Sequence, residues 1–284
     1  MPEKIDMEKH MKSMRSRVFR HMLKTRSWKY RAFLRYLRLF KYAAFAPTRG
    51  KFLESYYALM RYLDDVVDGE APLPEGYINE SDYIVEKIKF SRNPQNPKDE
   101  VDYLMLFCFE QAQRFEEDFQ TETRDILNSL LFDAKRRGKL IIFPKDVLNN
   151  HFHTLDIKGT IKATLKIFKE DPDKYIILEP LGMASRYQFD IEDFENDIAA
   201  GYVNISKEEC DHCGILQEDL YNVSSLNIKK WLRQRAEDGM ALLTEHHKRL
   251  PEGRFSPIAR ATFPLVYEIP ARKVFQKIIS ASER

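Results

Sequence analysis

The sequence predicts an all-α fold, and three observations predict it. Apolar residues recur at spacings of three and four through most of the chain, the period of a helix with one buried face. Strict alternation of the strand type is scarce. Gly (10) and Pro (13) are too few and too scattered among 284 residues to make a linker that divides the chain. At this length, with 43% hydrophobic residues, the chain can bury a large core, and residues 1–284 read as a single helical domain.

Composition also excludes several classes. Three cysteines make no disulfide framework, which points to a reducing compartment. No apolar run approaches the ~20 residues that span a bilayer, and no apolar stretch precedes a small-residue cleavage site near the start. The expectation is a cytoplasmic protein, soluble or peripheral at a membrane surface.

The first segment, about residues 1–45, is basic and amphipathic. Residues 1–51 hold 15 Lys and Arg against Glu3, Asp6 and Glu8, a net of +12, so the remainder carries −10 of the overall +2. From Lys12 to Lys51 the basic residues are interleaved with Trp28, Tyr30, Phe33, Leu34, Tyr36, Leu37, Leu39 and Phe40. The pattern fits first a bundle helix with a solvated basic face, and next a helix lying on an anionic membrane surface. Nucleic acid is not expected as a partner, because one basic helix without a known module is a weak signal.

From Pro47, with Thr48 as a cap, a helix is predicted that Gly69 ends. It carries Asp64, Asp65 and Asp68, with Asp64 and Asp68 one turn apart on a single face. Tyr57, Met60, Leu63 and Val67 are the expected buried stripe. Stacked like charges cost a helix a few tenths of a kcal/mol. A cation placed between them would offset that cost, and oxygen-only ligands suit Mg²⁺; a solvated acidic helix end is the alternative.

Pro72 and Pro74 mark a loop, residues 79–92 a helix, and Asn93 to Lys98 a turn. Two helices are expected over 99–137, with Phe107, Phe109, Phe115 and Phe119 in the core and Lys135, Arg136, Arg137 and Lys139 at a solvated end. His151 and His153 alternate, but no third metal ligand stands nearby. A second acidic stretch holds Asp190, Asp193 and Asp197, expected on one helical face and thickened by Glu192, Glu195 and Asn196. Two such faces opposed across a bundle would make a cage for several Mg²⁺ ions and a diphosphate. Cys210 and Cys213 read as an incidental pair, since zinc would want a partner pair and only Cys108 remains. Closing helices are expected over 225–249 and 255–282, where Tyr267 and Arg272 have the reach for a cavity.

The first acidic stretch resembles that of the squalene and phytoene synthases, the head-to-head prenyltransferases. Tyr57, Ala58, Arg61, Asp64, Asp65 and Asp68 follow in that family's order. Asp193 and Asp197, then Gly201 and Ile205, with Gly182 upstream, resemble its second box more loosely. The resemblance covers about residues 45–205. It implies a helical bundle of the isoprenoid (terpenoid) synthase type with a central apolar cavity. It also implies two or three Mg²⁺ ions and a prenyl diphosphate substrate such as farnesyl or geranylgeranyl diphosphate. NADPH has no support in the sequence.

In that reading Asp64, Asp68, Asp190, Asp193 and Asp197 bind metal, Arg61 holds diphosphate, and Asp65 assists at the reacting end. His153 falls near a family tyrosine and becomes a proton shuttle. Where relatives carry a polar His-Ser-Lys-like triplet, this chain has Arg35, Tyr36, Leu37 and Arg38, so Arg35, Arg38 or Lys41 would supply the positive charge. Two alternatives stay open: a single-substrate terpene cyclase with the same metal cage, and a non-catalytic relative that serves in assembly or at a membrane surface.

Overall fold

The computed structural model of the chain describes residues 4–25, 35, 37 and 47–281; they are helical throughout their regular segments, with no strand among them. The chain divides into two compact units, Met1–Ala134 and Lys135–Arg284.

In the first unit, α1 (Lys4–Thr25) packs against α2 (Pro47–Val67) and α4 (Glu100–Gln113), while α3 (Glu80–Arg92) packs on α2 and α4. α1 turns Met7, Met11, Met14, Val18 and Met22 inward, each no more than 5% exposed. Methionine suits this role because its unbranched chain fills irregular gaps. α2 begins and ends where expected: Gly69 takes a left-handed φ of 72°, and its N–H returns to the Val66 carbonyl at 3.1 Å. Of the expected stripe Leu63 and Val67 are buried, and the departure is confined to its first two residues. Phe52, Tyr56, Leu59, Leu63 and Val66 are buried, while Tyr57 and Met60 are half-buried. The departure at Tyr57 and Met60 follows from the aromatic packing of Phe52 on Tyr56 (5.0 Å) and on Phe119 (4.2 Å), which fixes which face of the first turns looks inward.

Asn79 and Asp99 cap α3 and α4 through their side chains. Between those helices Lys87 is fully buried and donates to Asp99 and Asp102, each at 2.6 Å. A buried ammonium is tolerable only with partners of this kind. Phe107, Phe109 and Phe119 are core residues as expected. α5 (Gln120–Arg136) follows.

The second unit begins at the end of α5 and contains α6 (Lys145–Phe152), a π-helical segment His153–Ile161 and α7 (Lys162–Ile167). α8 (Tyr175–Glu192), α9 (Phe194–Ala200) and α10 (Lys207–Cys213) follow, then α11 (Leu226–Arg249), α12 (Pro257–Phe263) and α13 (Ile269–Ala281). α8 and α11 form the main packing pair, and α13 lies against both. The segment expected as one closing helix over 255–282 is broken by a second π-turn at Pro264–Glu268, because Pro264 has no N–H to continue the α ladder. Gly182 on α8 faces the π-segment, where an added Cβ would come within 2.4 Å of the Ile157 Cδ1. Cys210 and Cys213 are free, buried, and packed in a core with Trp231 and Leu220. Burial pushes the Cys210 thiol up to about 11, so neither redox nor metal chemistry is favoured there.

Candidate active site

The first acidic cluster lies at the C-terminal end of α2. Arg61, one turn earlier, turns back over it. Its Nη1 reaches Asp64 Oδ2 at 2.5 Å, and its Nη2 reaches Asp65 Oδ1 at 2.6 Å and Glu70 Oε2 at 3.2 Å. The spacings of three and four bring these groups together, and Glu70 joins because Gly69 reverses the chain. Burial works against the Arg61 charge, but Asp64, Asp65, Glu70 and Asp68 outweigh it and hold the guanidinium firmly charged.

Exposure divides the three aspartates. Asp65 is buried at 1%, whereas Asp64 and Asp68 are half-buried and open to solvent. Burial pushes the Asp65 carboxyl up to about 6, opposed by Arg61 and reinforced by Asp64 and Glu70. His21 of α1 places Nε2 3.7 Å from Asp65 Oδ2, and ligand atoms of His21, Asp65 and Glu70 lie within 4.8 Å of one another. Four carboxylates thus surround one guanidinium. That excess of negative charge, presented by oxygen donors, fits a hard divalent cation. His21 and Glu70 were not expected from the sequence. Glu70 follows the box directly, while His21 stands 44 residues before Asp65 and carries no local signal.

The second cluster is built around Asp190, whose side chain is fully buried. Arg186, one turn earlier on α8, pairs with Asp190 Oδ1 at 2.8 Å. From α11, Arg235 approaches Oδ2 at 3.8 Å and also donates to the Asn204 carbonyl and to Glu209. The arginines are themselves held on aromatic faces, Arg186 over Phe152 at 4.9 Å and Arg235 over Tyr187 at 4.2 Å.

The expected single helical face is interrupted. α8 ends at Glu192, and Asp193 stands at the junction with φ −104° and ψ 6° before α9 begins. The three aspartates therefore differ: Asp190 is buried, Asp193 is exposed, and Asp197 is half-buried and accepts from Asn204 Nδ2 at 2.8 Å. They remain within electrostatic reach of one another. Burial, with Asp190 and Asp193 adding and Arg186 and Arg136 opposing, pushes Asp197 up to about 7.

Gly201 ends α9 in the left-handed conformation (φ 85°), and the 138–140 loop docks onto it through Gly138 N–H to the Ala200 carbonyl and Leu140 N–H to the Gly201 carbonyl, both 3.0 Å. A Cβ at Gly201 would lie 2.3 Å from the Gly138 backbone, so only glycine fits. Arg136, expected at a solvated helix end, is buried instead, over Tyr202 and donating to the Val203 carbonyl.

The remaining expected residues are more scattered. His153 is half-buried on the π-segment, with Nε2 3.4 Å from Glu179 Oε1. Arg35 is exposed, and Arg38 and Lys41 lie outside the described residues. Arg272 pairs with Glu268 at 2.8 Å and Tyr267 packs on Phe263. A cleft of about 560 Å³ in the first unit is lined by Tyr77, Ile78, Val85, Glu86, Lys89 and Lys98 among others, none of them an expected site residue.

No protein-family model matches the chain, and no curated protein sequence matches it. Among solved structures it is similar to squalene synthase HpnC from Alicyclobacillus acidocaldarius, with a TM-score of 0.70 and 13% identity over 100% of this chain and 97% of that one. It is also similar to a dehydrosqualene synthase in complex with ligand, with a TM-score of 0.60 and 14% identity over 98% of each chain. At these identities the likeness establishes the fold, the all-α fold of those synthases, reached by a divergent sequence.

Proposed function

We propose that this chain, having the fold of the squalene and dehydrosqualene synthases, is a magnesium-dependent prenyltransferase that joins two allylic prenyl diphosphates head to head. The observation that carries the reading is the cluster at the end of α2, in which Asp64, Asp65, Asp68 and Glu70 surround Arg61. A bare acidic helix end would be solvated; this one encloses a guanidinium with the bidentate geometry that suits phosphate.

In this reading residues 1–284 work as one catalytic domain. Asp64 and Asp68 of the first unit and Asp193 and Asp197 of the second are the magnesium ligands, with Asp65 and Asp190 behind them. Magnesium, when bound, neutralises charge on the leaving diphosphate. Arg61 exchanges its carboxylate partners for diphosphate oxygens, and Asp65 keeps the guanidinium oriented while it does so. The C–O bond breaks with its electron pair on the diphosphate, and the second prenyl double bond captures the allylic cation. The loss of a proton then closes a cyclopropylcarbinyl diphosphate. His153, beside Glu179, is the group assigned to proton transfer. A farnesyl or geranylgeranyl chain is the substrate proposed, and no reductant is assigned a place.

One observation favours a second reading, a relative without catalysis. Asp190 already has Arg186 hydrogen-bonded to one oxygen and Arg235 3.8 Å from the other, so the protein itself neutralises part of the second cluster. The test is incubation with Mg²⁺ and geranyl, farnesyl or geranylgeranyl diphosphate, with and without NADPH, followed by mass spectrometry. Products of twice the substrate's carbon number support coupling, and products of equal carbon number replace it with a cyclase. No product, together with no thermal stabilisation by Mg²⁺ and a diphosphate analogue, would establish the non-catalytic reading.

A further inference from the structure

The residues of α1 that point away from the core form a second surface, unrelated to either acidic cluster. Lys9, Lys12, Arg20 and Lys24 are all exposed, and none has an ion-pair partner among the described residues. At about 100° per residue, the four fall within about 120° of arc, centred opposite Met11 and Val18. Ser13 and Ser16 are exposed within the same arc, and Leu23, 44% exposed, lies between Lys12 and Arg20 around the helix. Arg17 borders it, half-exposed while paired with Glu100. Among the described side chains of this helix Glu8 is the exposed acid, and it lies about 40° outside the arc.

We infer that this face of α1 docks on an anionic phospholipid bilayer. Four unpaired cations with one exposed leucine on a single helical face match the charge of an anionic leaflet, which draws Lys and Arg within a Debye length of its surface. The docking is a surface contact. The apolar face of α1 is already spent in the core on Met7, Met11, Met14, Val18 and Met22, so the helix has no free apolar side to insert between lipids. In sequence, α1 leads into Arg26, Trp28, Lys29, Tyr30 and Arg31, and tryptophan and tyrosine beside basic residues favour the headgroup layer over a nucleic-acid backbone. The inference stands apart from the proposed reaction, and its test needs no activity.

The test is cosedimentation of the full chain with vesicles of phosphatidylcholine and phosphatidylserine in about a seven-to-three ratio, beside phosphatidylcholine alone and a duplex RNA. The K9E/K12E/R20E/K24E variant should lose at least about a hundredfold in partition to the anionic vesicles. Its melting temperature should hold, since all four residues are exposed. A control with the same charge change elsewhere, K229E/R260E/K273E/K277E, should keep most of the wild-type partition. Raising salt from about 0.05 M to about 0.5 M should release the wild type. The inference is overturned by absent partition at low salt, by equal loss in the two variants, or by RNA binding that exceeds vesicle binding at matched salt.

Discussion

The two acidic clusters share a four-residue spacing and differ in what stands opposite the carboxylates. At the end of α2, Asp64, Asp65, Asp68 and Glu70 face a single guanidinium, and three of the four are open to solvent. Around α8 and α9, Asp190 is enclosed by Arg186 and Arg235, and Asp197 has an amide partner in Asn204. The same spacing thus gives a surplus of negative charge in one place and, around Asp190, a buried carboxylate matched by two arginines in the other. Spacing sets which carboxylates meet; the cations decide whether they are free to take a ligand. The largest expected effects test that contrast.

Removing Asp190 should unfold more than it inactivates. Asp190→Ala leaves two largely buried guanidinium groups without their shared carboxylate, and breaking a buried pair in this way costs about 3–5 kcal/mol. Thermal denaturation should show a fall in Tm of many degrees. Wild-type stability in this variant would mean that solvent or Glu209 rescues Arg235, and the second cluster would then be freer than its geometry implies.

Asp64→Asn should behave in the opposite way. It removes one of several crowded like charges, so the fold should hold or gain slightly. Turnover in the diphosphate assay should fall by about 10²–10³-fold, the scale of losing a metal ligand. The stabilisation conferred by Mg²⁺ with a diphosphate analogue should fall with it. A variant that melts early but turns over normally would reverse the roles of the two clusters.

Gly201→Ala separates packing from charge. It forces a side chain into a left-handed conformation and into the Gly138 backbone. The cost should be about 2–4 kcal/mol. Calorimetry checks it, and an unchanged Tm would show that the 138–140 loop can move away.

Legibility in the sequence followed locality. The limits of α2 were readable because Pro47 and Gly69 act within a turn, and the meeting of Arg61 with Asp64 and Asp65 was readable from spacings of three and four. Arg186 was in principle readable by the same rule, four residues before Asp190, although attention to acids alone passes over it. Arg235 stands 45 residues beyond Asp190 and His21 stands 44 before Asp65; only tertiary packing delivers them. The α2 stripe is right at Leu63 and Val67 and off by one at Tyr57 and Met60, because periodicity gives the width of a buried face while the Phe52–Tyr56–Phe119 stack gives its direction there. The break at Asp193 was hidden because a helix junction with near-helical dihedrals leaves the four-residue spacing intact. The fold class survived all of these errors, since it rests on the period of the whole chain rather than on any one face.

The smallest effect is the sharpest on chemistry. Burial pushes Asp65 up to about 6 and Asp197 up to about 7. A carboxyl whose folded pKa is raised binds its proton more tightly in the native state. Its contribution to stability is fully present below the unfolded value near 4 and is lost as pH rises through the folded one. Each should therefore add a negative slope to stability against pH, at most about 1.4 kcal/mol per pH unit. The Asp65 window closes near pH 6 and the Asp197 window near pH 7. Asp197→Asn should flatten the upper window and Asp65→Asn the lower. Magnesium needs the ionised form, so its apparent affinity should rise with pH across the same range and its binding should release protons, measurable by titration calorimetry in two buffers of different ionisation enthalpy. Proton release that persists in Asp197→Asn but vanishes in Asp65→Asn would place the ion at the first cluster alone. The second would then be a structural ion-pair network that shares only the spacing of the first.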